Sequence, residues 1–294
     1  MVQMKKSSIQ LLLPTLSDHR KTLTTLLAGL LLMLSQPALG GNTALKVNEN
    51  AALDAADQAF KSLRYEEADS LYNTMLQNGK ETADLYWKLA RLNISIAESY
   101  EPDETARRMP YYAKAVECAQ KSVQLDPNNA SAHTWLAAAL ALKADKIGSK
   151  EKVRRAAEIK KELHRALELN PHDDVAWSML GSYNYQVSKI GWFSRMVGNA
   201  VIGGMPEGNR LEAEKDFKKA ITLNPRVIRH YHELALIYLE ENRKQEALNI
   251  LRAAVTKPVL MKSDTRRLKE IKLLIAKLTK ELEEPRVSNE FNSF

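Results

Sequence analysis

Residues 166–188 read ALELNPHDDVAWSMLGSYNYQVS: the end of one helix, a tight Asn170-Pro171 corner and the start of a second helix. Pro171 cannot continue a helix, and it pushes Asn170 out of helical geometry. Asp173 or Asp174 then caps the new helix by accepting backbone N–H bonds. Beyond the cap, Trp177, Leu180, Gly181 and Asn184 recur at three- and four-residue steps and so share one helical face. Ala176 and Gly181 are small enough to let a neighbouring helix come close.

The unit recurs. Leu-Asp-Pro stands at 125–127, Leu-Asn-Pro at 169–171 and again at 223–225. Nine and ten residues after each Pro come Leu136-Ala137, Leu180-Gly181 and Leu234-Ala235, and five before each sits Ser122, Ala166 or Ala220. Leu89-Ala90 is a further copy without the Pro, and Ala247, Leu251 and Ala254 finish another unit before Pro258. The Leu-small pairs lie 47, 44 and 54 residues apart. The pattern resembles tetratricopeptide repeats, whose ideal period is about 34. It predicts an all-α fold: a superhelix (α-solenoid) of about five helix pairs over residues 51–283. Expected pairs are 51–63 with 65–77, 82–99 with 110–125, 130–145 with 150–169, 175–188 with 211–223, and 227–241 with 244–256. Residues 42–50 read as an unstructured lead-in, 101–109 as an inserted loop and 284–294 as a polar tail. A charged amphipathic helix, 264–282, is placed to cap the open end, since a last repeat otherwise exposes apolar surface.

Composition agrees: 45% of the 294 residues are hydrophobic, with only 11 Gly and 10 Pro, which suits helix. Formal charge is +7. Without the first 40 residues it is +4, from 39 Lys and Arg against 35 Asp and Glu. The charges are mixed in sign, and no basic tract is interleaved with aromatics, so nucleic acid is not an expected partner. The single Cys118 can form no internal disulfide and reads as a buried structural thiol.

The amino terminus has the layout of a secretory signal peptide over residues 1–40. Lys5, Lys6, Arg20 and Lys21 precede a 12-residue apolar run, Leu23 to Leu34, which is too short to cross a bilayer. Ser35-Gln36-Pro37 breaks the run, and Ala38 and Gly40 supply the small residues of a cleavage site. Export to a periplasm or cell surface is the expectation, with an uncleaved membrane anchor as the rival.

Between the first and second helices of the fourth pair lies an insertion, residues 189–209, KIGWFSRMVGNAVIGGMPEGN. Trp192, Phe193 and Met196 make it as apolar as a core segment, and its glycines make it bendable. It reads as a short helix tucked against its own repeat, as a flap shaping a ligand or peptide site, or as a membrane-touching patch.

The order around this insertion is distinctive. A long Lys-rich helix precedes Ala166 to Pro171, then Leu180-Gly181 with Tyr185-Gln186-Val187-Ser188. The insertion follows from Trp192, then Glu212-Ala213 to Leu223-Asn224-Pro225. Over residues 130–280 this resembles the regulator of microtubule dynamics family. The resemblance implies protein association without catalysis; animal members are linked to microtubules and organelle membranes. An exported chain would not meet cytosolic microtubules, so that activity is not carried over.

Catalytic and metal signatures are incomplete. His232-Glu233 opens like a zinc-protease helix, but Leu236 stands where the second His is required. His230 and His232 are two apart and point to different helix faces. Residues 203–208 lack the Lys-Ser/Thr of a phosphate loop, and there is no Gly-x-Ser-x-Gly elbow. The chain reads as a non-enzyme with no cofactor and no metal.

In such arrays the first helix of each pair lines the concave groove. The inward positions are Trp87, Arg91 and Ile94; Thr134, Ala138 and Ala141; Ser178, Ser182 and Tyr185; His232, Leu236 and Leu239. Arg91 is the only cation among them, so the groove is expected to be small and apolar in the middle with aromatic edges. Trp87 and Tyr185 can equally pack between repeats. Two functions follow: an exported scaffold or adaptor that binds a protein or peptide partner along the groove, or a carrier of a lipid or small ligand between the groove and the insertion.

Overall fold

The computed structural model describes residues 41–189 and 208–283, with the backbone alone for 41–49. The chain divides into two compact units, residues 1–49 and 50–294. Of the first, the described part is helical. The lead-in expected to be unstructured therefore belongs to a helix, α1, Gly41–Lys61. Ten further helices follow among the described residues: α2 Tyr65–Gln77, α3 Ala83–Ser99, α4 Thr105–Leu125, α5 Ala130–Ile147, α6 Ser149–Leu169, α7 Asp174–Ser188, α8 Arg210–Leu223, α9 Ile228–Glu240, α10 Lys244–Ala254 and α11 Lys262–Glu283. Consecutive helices from α2 to α11 pack as antiparallel neighbours. The first helices α3, α5, α7 and α9 also stack on one another as an inner row.

The three proline corners are built alike. Asp126, Asn170 and Asn224 each end a helix near φ −140° and ψ 90°, where the following Pro forces extended backbone. Each donates its N–H to the small residue four before it: Ser122, Ala166 or Ala220. Their side-chain oxygens accept the N–H of Asn128, His172 and Arg226 two residues on, at 2.9, 3.1 and 3.3 Å. The residue six after each Pro then donates to the prolyl carbonyl, at 2.9 Å in all three: His133 Nε2, Trp177 Nε1 and Tyr231 Oη. Thr82, Asn129, Asp173 and Asn209 cap the following helices with side-chain oxygens at 2.7–3.2 Å. Neighbouring repeats are tied at these helix starts by Thr134–Asp173 (2.7 Å) and Asp174–His230 (2.9 Å).

Small residues set the distance between helices. A Cβ on Gly181 would lie 3.0 Å from the Phe217 ring and 3.2 Å from the Ala213 carbonyl, so α7 and α8 touch nearly backbone to ring. Among the described residues the core falls into two clusters. One runs from Ala56 on α1 to Val187 on α7, and the other from Tyr185 to Leu278 on α11.

Two elements differ from expectation. Helix α4 begins at Thr105, so most of the expected 101–109 loop is its first turn, with Pro110 inside the helix. Arg108 holds that turn: it is 3% exposed and donates to Ala97 O (3.1 Å), Pro102 O (3.3 Å), Glu98 and the Tyr112 hydroxyl (2.7 Å). Helix α11 does more than cap the last pair. It packs on α9 and α10, and its start also reaches back to α3. Tyr65 Oη accepts the Lys262 N–H (3.2 Å), and Arg266 donates to Tyr100 O (2.7 Å) and Glu98 O (3.3 Å). Met261 packs on the first core cluster.

Candidate binding site inside the curve

Two hollows open along the inner row among the described residues, and α11 walls the smaller of them. The smaller is a chamber of about 270 Å³. Its walls come from the end of α3 (Glu98), the starts of α4 (Arg108), α9 (Arg229, His232) and α11 (Arg266, Arg267), and the end of α5. It is polar. Burial pushes the Glu98 carboxyl up, but the Tyr112 hydroxyl and the Arg108 guanidinium outweigh this and hold it below the usual range. Burial lowers His232, keeping the imidazole neutral more readily. Burial and then the charge of Arg229 hold Arg267 below the ordinary arginine range.

The larger hollow, about 460 Å³, lies between α5, α6, α7 and the start of α9. Leu142, Val153, Ile159, Met179, Tyr183 and Val187 give it a mostly apolar wall, and Arg229 and Glu233 border both hollows. Its size falls within the range of small-molecule and side-chain pockets, about 300–1,000 Å³. The α6 face follows from its sequence: Ala156, Ile159, Leu163 and Ala166 recur at helical steps and are buried, while Lys161 and His164 between them are exposed.

A family model described as regulator of microtubule dynamics protein 1-3 matches residues 52–279. The chain belongs to the regulator of microtubule dynamics family. Regulator of microtubule dynamics protein 1 of Mus musculus is 29% identical over 217 residues, 73% of this chain and 69% of that protein. The Caenorhabditis elegans protein of the same name is 23% identical over 222 residues, 76% and 97% of the two chains. Regulator of microtubule dynamics protein 2 of Bos taurus is 25% identical over 237 residues, of which this chain spans only 57% of the relative's length. Among solved structures, a thermophilic TPR protein of Thermus thermophilus superposes with a TM-score of 0.55 at 18% identity, covering 79% of this chain and 99% of that one. That likeness shows the fold: a tetratricopeptide-type helical array.

In this member of the regulator of microtubule dynamics family, the groove positions read from sequence do not form one surface. Ala141 and Ser182 line the larger hollow and His232 the chamber. Thr134, Ala138, Ser178 and Tyr185 are 1–3% exposed and offer almost no surface to a partner. Leu236 is half-buried. Trp87 and Arg91 lie at the other end of the row. Arg91 stacks 3.9 Å from the Phe60 ring and pairs with Asp57 at 3.4 Å; Trp87 Nε1 donates to Asp84 at 2.9 Å. Tyr185 packs in the second core cluster, with Lys189 3.9 Å over its ring. The insertion residues Trp192, Phe193 and Met196 lie outside the described residues, as do the signal segment and the tail.

The expected chemistry of the groove is corrected. Arg91 is still the only Lys or Arg among the positions counted inward, but the groove around them is not simply small and apolar. Arg108, Arg229, Arg266 and Arg267 all line the chamber. Reading only one fixed set of positions on first helices missed them. Arg108 sits in the expected loop, Arg266 and Arg267 on the expected cap, and Arg229 one turn before the position counted inward. The available signal was the Arg-Arg pair at 266–267 on an otherwise amphipathic helix.

Proposed function

We propose that the protein is a non-catalytic adaptor, exported through residues 1–40, that binds a protein or peptide partner inside the curve. The observation that carries the reading is the 460 Å³ hollow between α5, α6, α7 and α9, with Met179, Tyr183 and Val187 in its wall. An apolar anchor residue of a partner, in a pocket with a charged rim, is the arrangement from which interfaces draw most of their affinity. The family's fold supports the same reading, since tetratricopeptide-type arrays offer extended inner surfaces.

Cross-linking the protein in its own cells, followed by binding measurements with the purified partner, tests this. Leu142→Ala and Val153→Asp, at half-buried positions of the same wall, are expected to weaken binding at least tenfold while far-UV circular dichroism stays unchanged. Equal affinity in both variants rejects the hollow as the site. Cell fractionation tests export: the expected product is cleaved near Gly40 and lies outside the cytosol. The relatives' name points to microtubules, and an uncleaved cytosolic chain that co-sediments with microtubules would replace the export reading.

The mostly apolar wall of the same hollow favours one second reading, a carrier of a lipid or small apolar ligand. Native mass spectrometry of gently purified protein separates the two. A co-purified adduct that Met179→Trp expels supports the carrier; a bare mass and no uptake of added fatty acid rejects it.

A further inference from the structure

Two of the chamber's arginines are engaged by the fold less fully than the others. Arg108 is engaged by two carbonyls, Glu98 and Tyr112, and Arg266 by the carbonyls of Glu98 and Tyr100. Arg229 and Arg267 differ. Among the described residues, Arg229 Nε is shielded from solvent and has no acceptor, and its terminal nitrogen reaches only Met179 Sδ at 3.8 Å. Among the same residues Arg267 has a single ion pair, Asp264 at 3.1 Å, on its own helix. Glu233 and Glu270 also line the chamber. Each stands 3.9 Å from an arginine, Arg229 and Arg266 respectively, beyond hydrogen-bond reach, so neither fills the free donors. Buried donors are normally satisfied, and a guanidinium left short of acceptors is costly. Here one such donor, Arg229 Nε, faces the same hollow as Arg267, whose charge it opposes, with His232 beside them and the carboxylates of Glu98, Glu233 and Asp264 offsetting part of that repulsion.

We infer that Arg229, Arg267 and His232 form an oxyanion site that takes a phosphate or carboxylate group entering the 270 Å³ chamber. The planar fork of a guanidinium matches the paired oxygens of either group, and an anion between the two arginines turns their repulsion into attraction. The anion is either a small free molecule or the end of a peptide chain; both present the same oxygens. The site goes beyond the adaptor reading and does not depend on it, because its readouts need no partner.

Isothermal titration of the full chain with inorganic phosphate, against sodium chloride of matched ionic strength, is the test. The expected result is saturable binding that Arg229→Gln and Arg267→Gln each weaken about tenfold or more, as loss of a charge-assisted hydrogen bond implies. Arg154→Gln, on an exposed pair with Glu151, leaves it unchanged. Arg229→Lys keeps the charge but loses the fork, and falls between. Protection of Arg229 and Arg267 from phenylglyoxal by phosphate gives the same answer in the unmutated chain, should a variant fail to fold. Acetyl-tetraalanine with a free carboxylate, compared with its amide, distinguishes the sources. Competition by the acid alone assigns the site to a chain end; phosphate binding without competition assigns it to a small anion. No heat beyond chloride, wild-type affinity in both glutamine variants, or absence of protection overturns the inference.

Discussion

Removing the Arg266 side chain should loosen the tie between the end of the chain and α3. Arg266 Nη1 and Nη2 donate to Tyr100 O at 2.7 Å and Glu98 O at 3.3 Å, and the side chain is 20% exposed. Both carbonyls lie at the end of α3, where the helix has no N–H of its own to offer them. A hydrogen bond from a charged donor is worth about 1.5–3 kcal/mol. The longer of the two belongs at or below the low end of that range. A cation at a helix C-terminus adds about 0.3–1 kcal/mol. Allowing for partial solvent access, Arg266→Ala should cost roughly 2–4 kcal/mol. Equilibrium urea unfolding followed at 222 nm reads this directly, and Arg266→Lys should recover less than half, since an ammonium cannot span both carbonyls. Hydrogen exchange should show faster opening of α11 than of α5 and α6. A loss below about 0.5 kcal/mol, the scatter of an ordinary surface substitution, with α11 protection unaltered, refutes the tie.

Three further outcomes follow from buried groups. Burial pushes Asp216 up to about 6, against one partner, Asn184 Nδ2 at 2.8 Å. Between about pH 4 and 6 the folded chain keeps a proton that the unfolded chain has lost, so stability falls as pH rises through that window. The shift corresponds to about 3 kcal/mol. Asp216→Asn should remove the slope and gain up to that amount at pH 7.5; urea titrations showing equal wild-type and variant stability at both pH 4.5 and 7.5 count against it. His133 is raised by its 2.5 Å bond to Glu162. Its contribution is complete below the unfolded value of about 6.5 and is lost as pH rises through the higher folded value. The stability gap to Glu162→Gln should therefore narrow from pH 6 to 9, and an NMR titration of His133 unchanged by that substitution contradicts the assignment. Gly181→Ala gains about 1 kcal/mol of helix propensity but drives a methyl to 3.0 Å from Phe217, an overpacking cost of about 1–3 kcal/mol. A net loss of roughly 1 kcal/mol is expected, and a rise in denaturation midpoint refutes the close contact.

The corners were legible because they are local. Pro fixes its own backbone and the residue before it, so Asp126, Asn170 and Asn224 had to end their helices, and the Leu-small pairs followed at constant offsets. The bond from the sixth residue after each Pro escaped notice because His133, Trp177 and Tyr231 share no composition, only a donor at the same place. The start of α4 was missed because Pro110 reads as a boundary, whereas Arg108 gives the turn ahead of it buried partners enough to stay helical. The chamber was illegible for a different reason. Arg266 and Glu98 stand 168 residues apart, and nothing in the repeat pattern says that the last helix turns inward.

Carbodiimide coupling without a spacer tests that inward turn most directly. Lys262 Nζ lies 3.5 Å from Glu66 on α2, and Lys244 Nζ lies 2.8 Å from Glu281 between adjacent α10 and α11. The folded-back helix predicts both isopeptide links within the monomer, identified by mass spectrometry after digestion. Formation of the Lys244–Glu281 link without the Lys262–Glu66 link would contradict it.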